Sequence, residues 1–468
     1  MLLIILYKCV RIKRYVTEYV KLGDRTLANV KLFGGSKTAA RVAKREKAPK
    51  EHKEKVRKPL RTVAILLFLL LIMEGCYFFC CYTTNSFVTY WRTAYINTAL
   101  STMRHQWLAT ALLPKDVVQA VIDHNTAVAA QAADKQSSWE KEDESQSFKD
   151  LNAEITEITP ESKEEIAREE FYELFWEIDE ATMEAYVAEH PEVLENGWAN
   201  IKINEAGLDD KGTSIYSTFG EQVLAIDVKN KILLLRVADS GYRGVLAVAK
   251  DPSLLSMEWS AGIGSYGQYV GTIAKRVDGI LSMTASGFID EDAQGNEGNG
   301  NGGILSGYAM CNGVGAQGRQ SKNTSWHQFV RMEMHENDLM YIRSINDPVS
   351  EDCTDALEFE PAMIVDGEIL VNDWWVEINP RTAIGQSDKY EYLLLAIEGR
   401  NPAAGILGTD VNVCAQILKR HNCMQAINLD GGTSTIMWYD GEYVVRCSNP
   451  SLPQGRPLPN AFVYHRAK

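Results

Sequence analysis

The longest apolar stretch of the chain, TVAILLFLLLIMEGCYFFCCY at residues 62–82, contains one charged residue, Glu74. A helix of this length can cross a hydrocarbon core about 30 Å thick. The basic run KEKVRKPLR precedes it. Because positive charge stays on the cytoplasmic side, the pattern predicts a single-pass signal anchor in the cell membrane, with residues 1–61 as a cytoplasmic tail and the chain after about Thr83 extracytoplasmic. A cleaved signal peptide is the alternative, and the length of the run argues against it.

Residues 83–196 show a helical pattern followed by an acidic one. Residues 90–132 place apolar side chains three and four positions apart in two blocks separated by Pro114, which predicts two helices beside the membrane. Residues 134–195 are rich in Asp and Glu and contain a helix-start signal at Ser162. We therefore expect residues 83–196 to form a helical and acidic stalk that spaces the next domain from the membrane.

From residue 197 to the C-terminus the chain alternates short apolar runs with turn signals. The segment EQVLAIDVKNKILLLRV predicts two strands joined by a tight turn. Asp366–Gly367 and Asp440–Gly441 each separate two strand-like runs, which is a strong local signal for a β-hairpin. The segment VNVCAQILKRHN has helical periodicity. Because strands outnumber helices, residues 197–468 are predicted to form one α+β domain with a mixed β-sheet.

Charge is divided unevenly along the chain. Residues 1–61 contain 18 Lys and Arg against 5 Asp and Glu, whereas the remaining 407 residues contain 30 against 57. An acidic folded part argues against nucleic acid as its partner, because phosphate binding needs a basic surface. The extracytoplasmic cysteines are odd in number and have no spacing typical of a disulfide framework or a zinc site. These cysteines are Cys311, Cys353, Cys414, Cys423 and Cys447.

Two further motifs are weak. A GxGxxG pattern at 262–267 has no apolar strand leading directly into it, so it is poor support for a dinucleotide site. Asp290 and Asp292 match the start of a calcium-binding loop, but Asn301 stands where the bidentate Glu belongs. A glycine- and asparagine-rich turn is the better interpretation. The sequence thus predicts neither a metal ion nor a cofactor.

Four polar, glycine-flanked clusters follow apolar strands. They are TASGF at 284–288 with the glycine-rich loop after it, NPRTAIG at 379–385, AIEGR at 396–400 and NLDGGTS at 428–434. Together they supply two carboxylates and two guanidinium groups, and the glycines leave backbone N–H groups open to a ligand. Cleavage of a bond between a sugar and a phosphate needs cations for the phosphate and a carboxylate at the anomeric carbon.

In this order, with the closing LPNAFVYH, the clusters resemble those of the phosphodiester glycosidases. The resemblance covers residues 197–468 and implies hydrolysis of a glycosyl-1-phosphodiester, with release of the sugar and a phosphomonoester. Bacterial relatives are associated with exopolysaccharide or cell-envelope glycans, and the anchor suggests a membrane-tethered bacterial member. The resemblance implies catalytic roles for Asp430, Glu398 and Arg381. It implies substrate contacts for Arg400, Thr382, Ser286, Gly302, Gly303, Asn428, Gly431, Gly432 and Thr433.

Three positions depart from the family pattern. Glu398 replaces the usual Asp, Thr433 replaces a glycine, and Thr284 stands where the family commonly has Asn. Two other hypotheses therefore stay open. The first is a non-catalytic protein of the cell envelope that only binds sugar phosphates or glycans. The second, compatible with either, is assembly with another membrane protein through Glu74 and residues 90–132. Three tryptophans, at 374, 375 and 438, can belong either to the core or to a sugar-stacking surface.

Overall fold

The structure is a computed structural model that describes most of the chain. The described residues are 50–102, 105–139, 160–194, 201, 213–292, 294–296, 298–319, 328–371 and 376–468. Most of the basic tail, the expected domain boundary at 196–197, and Trp374 and Trp375 lie outside these ranges. The chain divides into two compact units at Glu74 and Gly75.

Eight α-helices occur among the described residues. They are α1 (Lys50–Tyr82), α2 (Ser86–Ser101), α3 (Trp107–Thr110), α4 (Lys115–Ala133), α5 (Pro160–Leu174), α6 (Glu180–Glu189), α7 (Val270–Arg276) and α8 (Val411–Arg420). Helix α1 contains the apolar segment Thr62–Tyr82, which has a mean hydropathy of 2.5 and is long and apolar enough to cross a membrane. Pro114 precedes α4, as its fixed φ and missing N–H favour at a helix start.

Eighteen strands form three sheets in the described part of the chain. They are β1 (Gln222–Asp227), β2 (Ile232–Asp239), β3 (Tyr242–Ala249), β4 (Leu255–Trp259), β5 (Gly279–Thr284), β6 (Tyr308–Cys311), β7 (Val314–Gln317), β8 (Val330–His335), β9 (Met340–Ser344), β10 (Cys353–Phe359), β11 (Ala362–Val365), β12 (Glu368–Ile369), β13 (Arg381–Ser387), β14 (Tyr392–Glu398), β15 (Cys423–Asn428), β16 (Met437–Tyr439), β17 (Glu442–Val445) and β18 (Asn460–His465).

The sheets have orders β1-β2-β3-β14-β13-β15-β11-β12, β7-β6-β10-β8-β9 and β17-β16-β5-β18-β4. All pairings between these strands are antiparallel. The predicted α+β class is confirmed, but the described strands form three antiparallel sheets instead of one mixed β-sheet. Both Asp-Gly pairs close hairpins with positive φ at each residue, at 46° and 75° for Asp366–Gly367 and at 43° and 103° for Asp440–Gly441.

The eight-stranded sheet buries both of its faces. One face carries Leu234 and Ile384 and packs in a common core with side chains of the two smaller sheets, such as Met332 and Phe462. The other face is covered by α8 and by the helices at 167–189. Sheets buried on both faces require nearly continuous apolar strands, which explains the run YLLLAI in β14.

The acidic helices α5 and α6 pack on this sheet instead of forming a spacer. Phe175 and Met183 are fully buried in the core with β1 to β3. The fully buried Glu177 accepts hydrogen bonds from Lys250 Nζ at 2.6 and 2.7 Å, and Lys250 also contacts Glu391. Buried polar and charged groups are tolerated where they are hydrogen-bonded in this way. This part of the predicted stalk is therefore built into the sheet domain.

Candidate functional site

Antiparallel pairing of three neighbouring strands brings three of the polar clusters together. Strand β13 lies between β14 and β15 and is antiparallel to both, with Arg381 opposite Ile397 and Ala383 opposite Asn428. The start of β13 and the ends of β14 and β15 therefore lie at one edge of the sheet. NPRTAIG, AIEGR and NLDGGTS are each attached to this edge, although up to about 50 residues separate them in the chain.

Arg400 and the loop after β15 form the centre of the site. Arg400 Nη1 donates to Thr433 Oγ1 at 3.2 Å, and Nη2 donates to Asn379 Oδ1 at 2.9 Å. Gly432 has φ of +60°, its N–H donates to Pro380 O at 2.9 Å, and a Cβ there would lie 3.0 Å from Arg400 Nη2. The glycine thus allows the guanidinium group to lie against the loop backbone, and Arg400 itself is exposed to solvent.

Asp430 is a half-buried residue on the same loop. Enclosure of its carboxyl group raises the pKa of Asp430 to about 6, while a hydrogen bond with Ser434 and the charge of Arg456 oppose the rise. Arg400 lies close enough to interact electrostatically with Asp430. A carboxyl group that titrates near pH 6 beside a fixed positive charge is suited to proton transfer at an anionic substrate.

Arg381 and Thr382 point to opposite faces of the sheet. Arg381 is buried on the α8 side, where its Nε donates to Thr409 O at 3.1 Å and its Nη2 to Glu377 O. Thr382 is fully buried on the inner side and donates to Thr435 Oγ1 at 3.2 Å. In this arrangement Arg381 binds the backbone that carries Asn379, and Thr382 supports the turn after Asp430.

Glu398 ends β14 in an ion pair with β3. Its Oε2 accepts from Arg243 Nε at 2.9 Å, and its Oε1 accepts from the Arg446 N–H at 3.2 Å. Its side chain is only 12% exposed. Both oxygens therefore have donors, and the carboxylate is held at the sheet edge.

The TASGF cluster reaches the site from another sheet. Thr284 ends β5, is fully buried and donates from Oγ1 to Ser434 O, so it supports the loop that carries Asp430. Ser286 and Asn460 bond reciprocally, from Ser286 N to Asn460 Oδ1 and from Asn460 Nδ2 to Ser286 Oγ, both at 3.0 Å. Both side chains are fully buried. In this arrangement Ser286 helps to join β5 to β18.

Gly302 and Gly303 make close backbone packing contacts. A Cβ at Gly302 would lie 2.0 Å from Pro457 O, and one at Gly303 would lie 2.4 Å from the backbone of Ser265 and Tyr266. The Gly303 N–H donates to Asn301 Oδ1 at 3.0 Å. The glycine-rich loop and the GxGxxG segment at 262–267 are thus packed against each other, with the Gly264 N–H donating to Gly303 O.

The carboxylate of Asp290 binds Arg456. Arg456 contacts both Asp290 oxygens and donates to Gly300 O at 3.0 Å, and its guanidinium group lies 4.6 Å from the centre of the Phe288 ring. Asp292 accepts from the N–H and Nδ2 of Asn296 at 2.8 and 2.9 Å. The carboxylates of the calcium-like motif therefore hold the loop and Arg456 in place.

Asn428 has an unsatisfied atom beside the site. Its Nδ2 donates to Glu360 O at 2.7 Å, but within the described ranges its buried Oδ1 has no hydrogen-bond donor. A buried amide oxygen without a donor costs stability. Such a cost is often retained where a ligand or water supplies the donor.

Several site residues had no individual signal in the sequence. Asn379 was visible only as the first letter of NPRTAIG, and Asn460 only within LPNAFVYH. Arg456 lies in a proline- and glycine-rich segment with no motif of its own. Their roles depend on long-range packing, since Arg456 contacts a residue 166 positions earlier.

Comparison with known proteins supports the motif-based assignment. Residues 280–465 match the sequence model of the phosphodiester glycosidase family, which supports the family that the motifs predicted. The family consists of hydrolases that act on phosphodiester-linked sugars. The match begins inside β5, whereas the sheets also contain the four strands before it. A search among curated proteins gave no match.

Three solved structures are similar to parts of the chain. The catalytic domain of zebrafish N-acetylglucosamine-1-phosphodiester alpha-N-acetylglucosaminidase, auto-inhibited by its pro-peptide, is 19% identical, with 50% of this chain and 82% of that chain covered and a TM-score of 0.38. A hypothetical protein from Synechocystis is 16% identical, with 50% and 61% covered and a TM-score of 0.33. A protein from Burkholderia pseudomallei predicted to be exported is 13% identical, with 48% and 75% covered and a TM-score of 0.34.

Proposed function

We propose that the protein is a membrane-anchored, extracytoplasmic hydrolase that cleaves a glycosyl-1-phosphodiester bond in envelope or exopolysaccharide glycans. Water adds to the anomeric carbon, the bond from that carbon to the phosphate oxygen breaks, and a phosphomonoester leaves. The juxtaposition of Arg400 with Asp430, whose pKa is raised to about 6, is the observation that carries this proposal. The family match of residues 280–465 is consistent with it.

In this proposal the arginine and the two carboxylates have separate roles. Arg400 binds the phosphodiester through its guanidinium group, and the backbone at Gly431 and Gly432 lets the substrate approach closely. Asp430 and Glu398 share the acid–base or nucleophilic steps at the anomeric carbon. The strand ends beneath the substrate are held in place by Arg381, Thr382, Ser286 and Asn428. The remaining residues around the substrate are Gly302, Gly303 and Thr433.

The proposed location follows from the apolar segment Thr62–Tyr82, which anchors the chain with its N-terminus in the cytoplasm. Glu74 within that segment provides a contact for an assembly partner in the membrane. Co-purification of a stoichiometric membrane protein that Glu74→Leu abolishes would support this contact. Retention of the partner by the variant would exclude it.

The test is release of sugar from a set of glycosyl-1-phosphodiesters, including UDP-N-acetylglucosamine, by the detergent-purified full chain. We expect Asp430→Asn to lower turnover about 100-fold or more while binding remains, and Arg400→Ala to weaken binding. Asp440→Asn and Arg466→Ala are matched controls, because these residues form an exposed ion pair next to another Asp-Gly turn. Wild-type turnover by Asp430→Asn would refute the catalytic assignment.

One observation favours the non-catalytic alternative. Thr433 Oγ1 already accepts a hydrogen bond from Arg400 Nη1, so it occupies a donor that a phosphate would otherwise use. A sugar-phosphate-binding protein tolerates this loss better than an enzyme does. Binding of the diesters by the wild type, abolished by Arg400→Ala and accompanied by no sugar release, would establish this alternative.

A further inference from the structure

Helix α2 exposes an aromatic face. Phe87, Tyr90, Trp91 and Tyr95 lie at positions i, i+3, i+4 and i+8 of the helix and are 70%, 42%, 55% and 42% exposed. The Trp91 ring contacts those of Phe87 and Tyr90, with centroids 6.4 and 5.5 Å apart. Helices of water-soluble domains usually expose charged and polar side chains instead. This surface is hereafter the aromatic face.

The opposite side of α2 is packed normally. Ile96 and Ala99 are buried there, and the buried Asn97 accepts a hydrogen bond from Asn125 of α4 at 2.9 Å. The tyrosine hydroxyl of Tyr95 donates to Leu108 O at 3.1 Å, which joins α2 to the turn of α3. The orientation of the helix is therefore fixed by its own contacts, and the aromatic face is the side left toward the surroundings.

The same helix is attached to the end of the apolar segment. Arg92 Nη1 donates to the carbonyl oxygens of Cys80, Cys81 and Thr83 at 3.1, 2.9 and 3.1 Å, as a cation at a helix C-terminus should. Tyr77 Oη donates to Leu112 O at 2.8 Å. Since the segment Thr62–Tyr82 has just the length of a bilayer core, its final residues mark the boundary of the membrane, and α2 begins four positions later.

The other end of α2 contacts the candidate site. Thr98 Oγ1 accepts from the Ile378 N–H at 3.1 Å, and Ser101 Oγ accepts from Asn379 Nδ2 at 3.0 Å. Asn379 in turn holds Arg400. One helix of 16 residues, about 24 Å long, thus joins the membrane boundary to the guanidinium group of the site.

We propose that the aromatic face binds the surface of the lipid bilayer and holds the candidate site there, so that the site acts on diesters carried on a lipid. Aromatic side chains are enriched at the level of the lipid headgroups, where a ring meets both apolar and polar surroundings. Trp107 of α3 is also exposed, at 55%. The lipid-diester part rests on the proposed hydrolase function, whereas the contact with the bilayer does not.

The contact with the bilayer is measured by tryptophan fluorescence of the full chain in phospholipid vesicles that contain lipids brominated in the upper acyl chain. We expect a quenched component in the wild type that falls by about half in Trp91→Phe and again in Trp91→Phe/Trp107→Phe. Trp259→Phe is the matched control, since Trp259 is half-buried on β4 and bonds to Val314 O. Unchanged spectra on addition of brominated lipid would overturn the proposal.

The lipid-diester part is tested with one sugar phosphodiester in two forms. In the first form it is attached to a lipid in these vesicles, and in the second it is a water-soluble ester. The rate of hydrolysis is measured for each. We expect Phe87→Ser/Trp91→Ser to lower kcat/KM about tenfold for the lipid form and less than about twofold for the soluble form. Val314→Ser, at a 63% exposed position on β7, serves as the control. An equal loss on both forms would refute the lipid-diester part. No hydrolysis of either form would refute it together with the hydrolase function, while the quenching result would still decide the contact with the bilayer.

Discussion

Asn379 donates a hydrogen bond from Nδ2 to Ser101 Oγ at 3.0 Å, across 278 positions of sequence. The oxygen of the same amide accepts from Arg400 Nη2 at 2.9 Å. A single buried side chain therefore joins the helix that follows the apolar segment to the arginine at the centre of the site. Because Asn379 has both a donor and an acceptor in use, its orientation is fixed, and so is that of the guanidinium group.

The first prediction concerns this connection. Asn379→Ala removes one of the acceptors that orient Arg400, so KM for a glycosyl phosphodiester should rise about tenfold, equivalent to about 1.4 kcal/mol, with kcat changed less than about threefold. Ser101→Ala should produce a smaller rise in KM, since Arg400 keeps its acceptor. Ser86→Ala, on the exposed first turn of α2, is the control. A fall in kcat at unchanged KM would contradict the positioning role.

The second prediction is a pH-dependent gain of stability in Asp430→Asn. The pKa of Asp430 is raised to about 6 in the folded protein, so folding favours the protonated carboxyl group. That contribution is present below about pH 4 and is lost as the pH rises through 6. At pH 7 the variant should be more stable than the wild type by about 1–3 kcal/mol, and at pH 4 the two should agree.

Thermal unfolding of the detergent-purified full chain at the two pH values provides the measurement. A variant that is destabilised at pH 7 would show that the Asp430 carboxylate is well solvated or well paired. The expected gain has a physical meaning for the site: a carboxylate held at a cost to stability is typical of positions retained for chemistry.

The third prediction concerns acid stability. Burial opposes ionisation of Glu333, but hydrogen bonds with His335, Ser350 and Arg331 lower its pKa to about 2. This network stabilises the fold above about pH 4.5, and its contribution is lost as the pH falls toward 2. Glu333→Gln should lower the free energy of unfolding at pH 7 by about 3 kcal/mol. Asp352→Asn, whose side chain is 54% exposed, should cost less than about 1 kcal/mol.

Guanidinium-induced unfolding of both variants at pH 7 and pH 3 separates the two effects. The Glu333→Gln deficit should shrink at pH 3, where the wild type has lost part of the same contribution. A deficit of equal size at both pH values would assign the loss to packing instead of charge.

Local turn chemistry explains what the sequence could predict. The hairpins at Asp366–Gly367 and Asp440–Gly441 depend on adjacent residues that adopt positive φ, and the two strands before residue 240 depend on a turn at Asn230–Lys231. The position of the polar clusters at strand ends also followed, because each cluster comes directly after or before an apolar run. These features require no knowledge of distant contacts.

Long-range pairing explains what the sequence could not predict. Arg381 and Thr382 are neighbours, yet they face opposite sides of β13, and the motif alone does not say which side receives the substrate. Likewise, the acidic composition of residues 160–189 concealed Phe175 and Met183, which are fully buried against the sheet. A few apolar side chains decide where a helix packs, whereas composition averages over all of them.

The fourth prediction distinguishes two glycines of the glycine-rich loop. Gly302 has φ of +70°, and a Cβ there would lie 2.0 Å from Pro457 O, so Gly302→Ala should cost at least about 2 kcal/mol of stability. Gly295 has φ of +81° but no atom within 4 Å of the same position. Gly295→Ala should therefore cost only about 1 kcal/mol, from backbone strain alone. Equal costs, measured by thermal unfolding, would show that the loop moves away from residues 457–458.

The fifth prediction tests what Thr433 does beside Arg400. Its hydroxyl accepts a hydrogen bond from Arg400 Nη1 at 3.2 Å, so Thr433→Gly should free one guanidinium N–H for the phosphate. We expect kcat/KM for glycosyl phosphodiesters to rise about threefold or more, which corresponds to about 0.7 kcal/mol. Thr433→Ser keeps the hydroxyl group and should behave as the wild type. If Thr433→Gly instead lowers kcat/KM while Thr433→Ser preserves it, the hydroxyl group orients Arg400 for the substrate, and the departure from the family's glycine is an adaptation of this site instead of a loss.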